Sequence, residues 1–424
     1  MIGPVARQAS KTLLYLGLLS VLSAGSAQAQ ASFFAPENYT AWIDARLVSA
    51  DGEPNWRDGG YGKLRYGDGD NGLHLAQVAL LWTPRLSDNI SGHLLLQDVP
   101  DAQTPLGVSE AYIQWKPVPT NDTRYSFRLG QMFLPLSLEH DGAGWTTTRT
   151  LTPSMINSWI GEEGLVRAIE AKVQTQLGDH TIAATAGLFT GDDTAGTILT
   201  FRGWAQHDIA SASNTALQLP YGGNGGYTTL FLKQAALSKP MVEVDGRGGA
   251  YLRLDWRPPA PVAFNLFYFD NPADPAIVRH GQYGWSTQFI DGGMTWQLDT
   301  KNQLLSQYMW GRTKMGAGMP EGRHPADIRF DSAYLLLSHS LDSGDKLTAR
   351  IEYFSTFDYS LVEIDDNNEK GYSATIAWMK PLTPNLDLAL EAIDIASNRP
   401  SRATQYEAPR QSQTQLQMAL KLHL

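Results

Sequence analysis

The sequence predicts an all-β chain folded as a transmembrane antiparallel barrel, and three observations carry that expectation. The closing stretch alternates between two chemistries, similar stretches return along the whole chain, and five tryptophans fall at matching places near the ends of these stretches. Gln411 to Leu424 shows the first most clearly. Thr414, Leu416, Met418, Leu420, Leu422 and Leu424 share one parity, and Gln413, Gln415, Gln417, Ala419, Lys421 and His423 share the other. Successive side chains of a strand point to opposite faces, so this segment is apolar on one side and polar on the other. No helical pattern supplies a cover for the apolar faces, whereas a barrel with lipid outside and water inside needs segments of this kind.

From the first residue on, the elements follow in order. Arg7 and Lys11, the apolar run Leu13 to Ala24 and then Ala27-Gln28-Ala29 fit an export signal over residues 1–29, leaving 30–424 as one barrel domain. That apolar run is shorter than the ~20 residues a helix needs to span a bilayer. Tyr39 to Ala50 is the first predicted strand, followed by the Gly- and Asp-rich loop Asp51 to Asn71 and a second strand, Gly72 to Arg85. A short break at Ser87-Asp88-Asn89 leads into Ile90 to Gln97, a tight connection between antiparallel neighbours.

The rhythm of long loop and short turn continues. Val108 to Pro117 turns into Arg124 to Gln131, Gly164 to Leu177 into His180 to Thr190, and Gly249 to Arg257 into Val262 to Asp270. Trp285 to Leu298 turns into Asn302 to Thr313, Ile328 to Leu341 into Lys346 to Phe357, and Gly371 to Pro381 into Asn385 to Ala396. With the closing strand the count is about sixteen, with long external loops, short periplasmic turns and both termini on the side of the turns. Gly191 to Arg247 is either one long external loop or holds an extra hairpin, Ile198 to Ala205 with Tyr227 to Ala236, which would make eighteen.

Trp82, Trp115, Trp256, Trp296 and Trp378 each precede a predicted short turn by a few residues and share the parity of the apolar face. Indole rings gather where hydrocarbon meets headgroups, so these five are expected to form a membrane-interface girdle. The other long insertion, Gly130 to Glu163, carries Met132, Phe133, Leu134, Leu136, Leu138, Trp145, Leu151, Met155, Ile156, Trp159 and Ile160. So much apolar surface needs cover, which a loop folded into the barrel mouth would supply. Glu139, Asp141 and Arg149 are then its candidate constriction residues.

On these residues the chain resembles a known family. The motif Gly130-Gln131-Met132-Phe133-Leu134-Pro135 with Glu139, and the downstream run Ala186-Gly187-Leu188-Phe189-Thr190-Gly191-Asp192-Asp193, are similar to the phosphate-selective porins O and P of Gram-negative outer membranes. The resemblance implies a sixteen-stranded trimeric pore narrowed by an inward loop, and a C-terminal strand read by the outer-membrane assembly machinery. Porins usually end that strand in Phe or Trp, and this chain ends it in Leu424. The family's basic constriction has no counterpart either, since the inward loop sets Glu139, Asp141, Glu162 and Glu163 against Arg149.

On the lumen-facing parity, Glu110, Arg124, Arg128, Glu170, Lys172, Arg253, Asp255, Arg350 and Glu352 are the candidate pore-lining residues. Their charges nearly balance, which predicts a modest ion preference rather than a ring of one sign. The net charge of −10, or −12 once Arg7 and Lys11 leave with the signal, disfavours nucleic acid as a partner. Cysteine is absent, which removes thiolate chemistry, and no His-Glu-x-x-His, nucleophile elbow or phosphate-cradling loop exists. No metal site and no cofactor is expected; Gly67-Asp68-Gly69-Asp70-Asn71-Gly72 reads as a turn-forming cluster, with a calcium loop as its other reading, and Asp365 to Glu369 as a solvated loop, with divalent ions bridging to lipopolysaccharide as the other reading.

The leading expectation is passive passage of small hydrophilic solutes or ions through a wet lumen in the outer membrane, among lipid and lipopolysaccharide. Three alternatives stand beside it: a phosphate- or polyphosphate-selective channel, a barrel enzyme acting on lipid with His339 beside Ser338 or Ser340, and a soluble exported β-rich binding protein.

Overall fold

The computed structural model describes residues 33–220, 233–320, 322–361 and 366–424. The expected export signal over 1–29 lies outside them, as do part of Tyr227 to Ala236 and Asp365 of the acidic run. Among the described residues, sixteen antiparallel strands form a closed barrel in chain order. They are Tyr39–Ala50, Gly72–Trp82, Ile90–Asp98, Leu106–Trp115, Thr123–Phe133, Leu165–Leu177, His180–Thr190, Gly249–Arg257, Val262–Pro272, Ser286–Gln297, Asn302–Met315, Ala326–Ser340, Lys346–Asp358, Glu369–Thr383, Leu386–Asn398 and Arg410–His423. Every predicted strand is present, with ends moved by at most three residues.

Closure is made by the first and last strands, with Trp42 opposite His423, Leu47 opposite Met418 and Ala50 opposite Gln415. Beyond the ladder, the Leu424 amide donates to the Ala41 carbonyl at 2.9 Å. Along the last strand Leu416, Met418, Leu420 and Leu422 are exposed while Gln413, Gln415, Gln417 and Ala419 are buried. The alternation therefore turns its apolar face outward, the reverse of a soluble barrel, whose apolar face fills its core. The same holds at Ile113 and Trp115, Leu252 and Trp256, and Ile351 and Phe357, all exposed.

Three long connections enter the barrel. Residues 134–164 descend from the fifth strand and carry a helix, Met155–Glu163 (α1), capped by the Ser154 hydroxyl. From the connection 191–248, Ala195 to Ala212 are almost wholly enclosed, and from 51–71 so are Lys63 to Tyr66. Leu64 bridges to Gln206, so the two loops meet in the lumen. Their apolar side chains, Leu64, Leu134, Met155, Trp159 and Trp204, join inward wall residues Phe267, Phe289, Phe330, Phe354 and Ile393 in one core. Trp159 stands edge-on to Phe289 at 5.4 Å and Phe330 at 5.2 Å, contacts worth about 0.5 to 1.5 kcal/mol each beyond the area buried.

Two expectations for Gly191 to Arg247 are corrected. Ile198 to Ala205 is no strand, because Thr197–Phe201 is a short helix (α2) whose Ile198 and Leu199 pack inward, so the barrel has sixteen strands and not eighteen. Nor is the segment simply external: Trp204 donates through Nε1 to the Ser355 carbonyl at 2.8 Å, and Gln206 to Thr375 Oγ1 at 3.1 Å. Gly203, at φ +80°, permits this approach, since a Cβ there would lie within 2 Å of the Glu369 carboxylate.

Candidate functional site: a partly filled lumen

Inside the barrel the long loops are fixed to the wall by buried ion pairs. Arg46 of the first strand meets Asp44 at 2.7 Å and Asp208 at 2.5 Å, and Arg65 of the first loop meets the same Asp208 at 2.9 Å and Asp101 at 2.7 Å. Lys63 reaches Glu369 at 2.6 Å, and Arg402 reaches Glu53 at 2.5 Å. Burial alone would raise the Asp208 carboxyl, but Arg46 and Arg65 outweigh it and hold that group far below the ordinary range. Burial pulls Lys63 down to about 7 despite Glu369 beside it.

The inward loop is held in the same manner. Arg350 contacts Glu139 and Glu352 at 2.7 Å each and donates to the Thr152 and Pro153 carbonyls. Glu352 accepts from the Met155 amide, and Glu391 from the Leu151 and Thr152 amides. At the far end of α1, Glu162 pairs with Arg202 at 2.6 Å and meets the His207 ring at 3.1 Å; burial would raise it, yet the Arg202 guanidinium and the hydrogen bonds from these two side chains hold it at about 2. Glu163 forms no ion pair among the described residues, and its burial pushes it up to about 7 although Trp159 Nε1 and the Gly196 and Ile198 amides donate to it.

The candidate pore residues thus separate into two groups. Arg350, Glu352 and Glu139 lie on the lumen side but are enclosed, serving as anchors between wall and loop. Glu110 is nearly enclosed and faces His93 at 3.2 Å. Arg128 and Glu170 form a two-point pair at 2.7 Å, with the Tyr251 hydroxyl donating to Glu170, and Arg253 grips Asp255. Lys172 lines a cleft with these pairs, and Arg124 is exposed near the turn end of its strand. Of the constriction trio, Asp141 and Arg149 remain in reach of solvent and pair with each other at 2.5 Å.

The loop leaves two clefts toward the short-turn end. One, of about 410 Å³, is lined by Gln114, Ser126, Arg128, Ser137, His140, Glu170, Lys172, Arg253, Asp255 and Arg257. The other, of about 420 Å³, is lined by Trp42, Gly142, Thr146, Thr148, Lys346, Asp387, Lys421 and His423. Pro135 to Trp145 borders the first and Gly142 to Thr148 the second, so the loop stands between them. His140 lies against Trp145 with ring centres 4.1 Å apart, and burial lowers its pKa to about 4.

Of the five tryptophans, Trp115, Trp256 and Trp296 are exposed on the outer wall. Trp82 is half-covered by Phe33 and Phe34, and Trp378 donates to Asp345 at 3.1 Å. His339 bonds Asn302 on the outer side while Ser338 bonds Thr348 on the other, so these neighbours in sequence do not couple. Sequence reading missed Asp208, Arg65 and Trp204. An apolar content in Ala195 to Ala210 like that of the inward loop was the available signal.

No family model and no curated protein matches the sequence. The backbone is similar to that of solved barrels. They include an anion-selective porin from Comamonas acidovorans, with 12% identity, 91% of this chain and 98% of that one covered, and a TM-score of 0.50. The outer membrane channel DcaP of Acinetobacter baumannii gives 10%, 91%, 96% and 0.51. A loop-deleted form of OmpT, an outer membrane protein of Vibrio cholerae, gives 9%, 91%, 98% and 0.50. At such identities the likeness concerns the fold: this chain has the closed sixteen-stranded architecture of outer-membrane porins.

Proposed function

We propose that this protein is an outer-membrane channel of a Gram-negative cell, passing small hydrophilic solutes or ions down their gradients through the narrow space its inward loops leave. The observation that supports the reading best is the apolar outer wall of a closed barrel whose interior, beside the apolar core under the inward loops, holds clefts lined by charged and hydroxyl side chains. The long loops then face outward from the cell and the short turns face the periplasm. Three copies side by side, as the resemblance implies, and insertion by the assembly machinery through the closing strand complete the proposal.

Selectivity follows from which charges remain unpaired. Arg46, Arg65, Arg128, Arg253 and Arg350 are each held by a carboxylate and contribute little net field. Lys172, Arg257 and Lys346 form no ion pair among the described residues, and Lys346 donates to Thr148. The clefts are therefore mildly positive, which favours small anions over cations modestly and does not amount to tight phosphate capture. Liposome swelling with a graded series of neutral sugars and organic acids tests the proposal. Uptake of the smaller solutes with a sharp size limit is expected, and exclusion of every solute would refute it.

A further inference from the structure

Three carboxylates meet where the seventh strand, His180–Thr190, passes into the connection 191–248 and where that connection returns toward the eighth. Asp193, Glu243 and Asp245 each place one oxygen within 4.8 Å of the others. The backbone holds them there. Asp193 accepts from the Val244 amide at 2.6 Å, Glu243 from the Gly191 and Gly246 amides at 3.0 and 2.7 Å, and Asp245 from the Arg247 amide at 2.8 Å. The Asp193 amide in turn donates to the Val242 carbonyl at 3.2 Å. Bonds that cross between the two segments pin the carboxylates in place, so they do not relieve their repulsion by turning apart.

Little positive charge reaches them. Arg247 pairs with Asp245 at 3.5 Å and with Asp274 at 3.0 Å, but its side chain is half-exposed. Asp193 and Glu243 form no ion pair among the described residues. Acidic clusters are common at surfaces without any ion, and a second feature sets this one apart. Asn271, wholly buried, lays its carboxamide against it: Nδ2 donates to the Asp192 carbonyl at 2.9 Å and reaches Asp193 Oδ1 at 3.4 Å, while its own Oδ1 has no partner among the described residues. The Asp192 carboxylate next in the chain is also enclosed, with neither oxygen partnered. Buried oxygens in this state are rare in folded proteins and call for a ligand.

We infer that Asp193, Glu243 and Asp245 bind a calcium ion, with Asn271 Oδ1 as a further oxygen from the buried side. Calcium takes oxygen ligands at about 2.3 to 2.6 Å, so ligands across the ion stand roughly 4.6 to 5.2 Å apart and adjacent ones closer, which the spacing of the three carboxylates fits. The ion joins the first residues of the connection 191–248 to its last. It thereby closes, at its base, the loop whose Ala195 to Ala212 lie enclosed in the lumen. The acidic runs 67–72 and 365–369 share none of these residues.

The test uses the full-length protein in detergent micelles, stripped with a chelator, with calcium alone as the probe in equilibrium dialysis. Wild type should hold one more ion per chain than D193N/E243Q, with a dissociation constant of about 0.1 to 1 mM, the range of extracellular calcium modules. Calcium should also slow amide hydrogen exchange over 191–195 and 242–246 in wild type and leave the variant unchanged. Equal binding by the two proteins overturns the site. The exchange measurement on wild type needs no variant, so absence of calcium-dependent protection in those two segments overturns it whether or not D193N/E243Q folds. Neither readout depends on conduction, which separates failure of this site from failure of the channel reading.

Discussion

Asp208 lies between two arginines that belong to different parts of the chain, Arg46 of the barrel wall at 2.5 Å and Arg65 of the first loop at 2.9 Å. All three meet inside the barrel, so one carboxylate ties two long loops to each other and to the wall. Removing it leaves Arg46 with Asp44 and Arg65 with Asp101 as their remaining anions, so the cost should fall below the about 3 to 5 kcal/mol of a buried charge left wholly unpaired. Asp208→Asn should keep the barrel but loosen the loops. The check is faster amide hydrogen exchange over 61–67 and 200–212 with unchanged exchange in the strands; no change in either would show that the loops are held by apolar packing alone.

A pH response follows from Glu163. Its folded pKa of about 7 lies above its ordinary 4.5, because burial disfavours the charged form. The folded state therefore holds its proton more tightly than the unfolded one. Its contribution is complete below about 4.5 and declines as pH rises to about 7, by roughly 2 to 4 kcal/mol. Comparing thermal unfolding of wild type and E163Q across this window tests it: the variant should lose the slope, and parallel curves would reject the assignment.

The outer girdle makes a separate claim. Trp115→Asp or Trp256→Asp places a charge at the edge of the apolar wall, where the penalty is below the ~2 to 4 kcal/mol found for basic residues at midplane. Slower insertion and a lower yield of folded barrel are expected, read from heat-modifiable migration in detergent gels. Unimpaired folding of both variants would remove these rings from the interface.

Ion preference depends on the unpaired cations of the first cleft. Replacing Lys172 and Arg257 by Gln should move the reversal potential in a salt gradient toward zero selectivity, without altering the barrel. An unchanged reversal potential would place the solute path elsewhere.

Much of the wall could be read in the sequence because a strand writes its two faces in alternate residues. Leu416 to Leu422 outward and Gln413 to Gln417 inward is the same pattern in both. Even a pair such as Arg350 and Glu352, two apart, was legible as sharing a face. What escaped was the filling of the lumen. Irregular backbone has no period, so the inward turn of Ile198, Trp204 and Ala205 left no rhythm to find, and Arg46 and Asp208 are 162 residues apart. Their pairing depends on how the loops pack rather than on any local spacing. For the same reason Glu139 looked solute-facing on its loop but is enclosed by Arg350, Ser154 and Asn157.

Whether the barrel conducts, and whether its inward loop sets the width, is decided by single-channel recording in planar bilayers of the intact protein beside a variant lacking Asp141 to Asn157. If the loops narrow the lumen without closing it, as proposed, the intact protein should give small discrete current steps and the deletion larger ones. An electrically silent intact protein, or steps of equal size in both, would contradict a channel constricted by that loop.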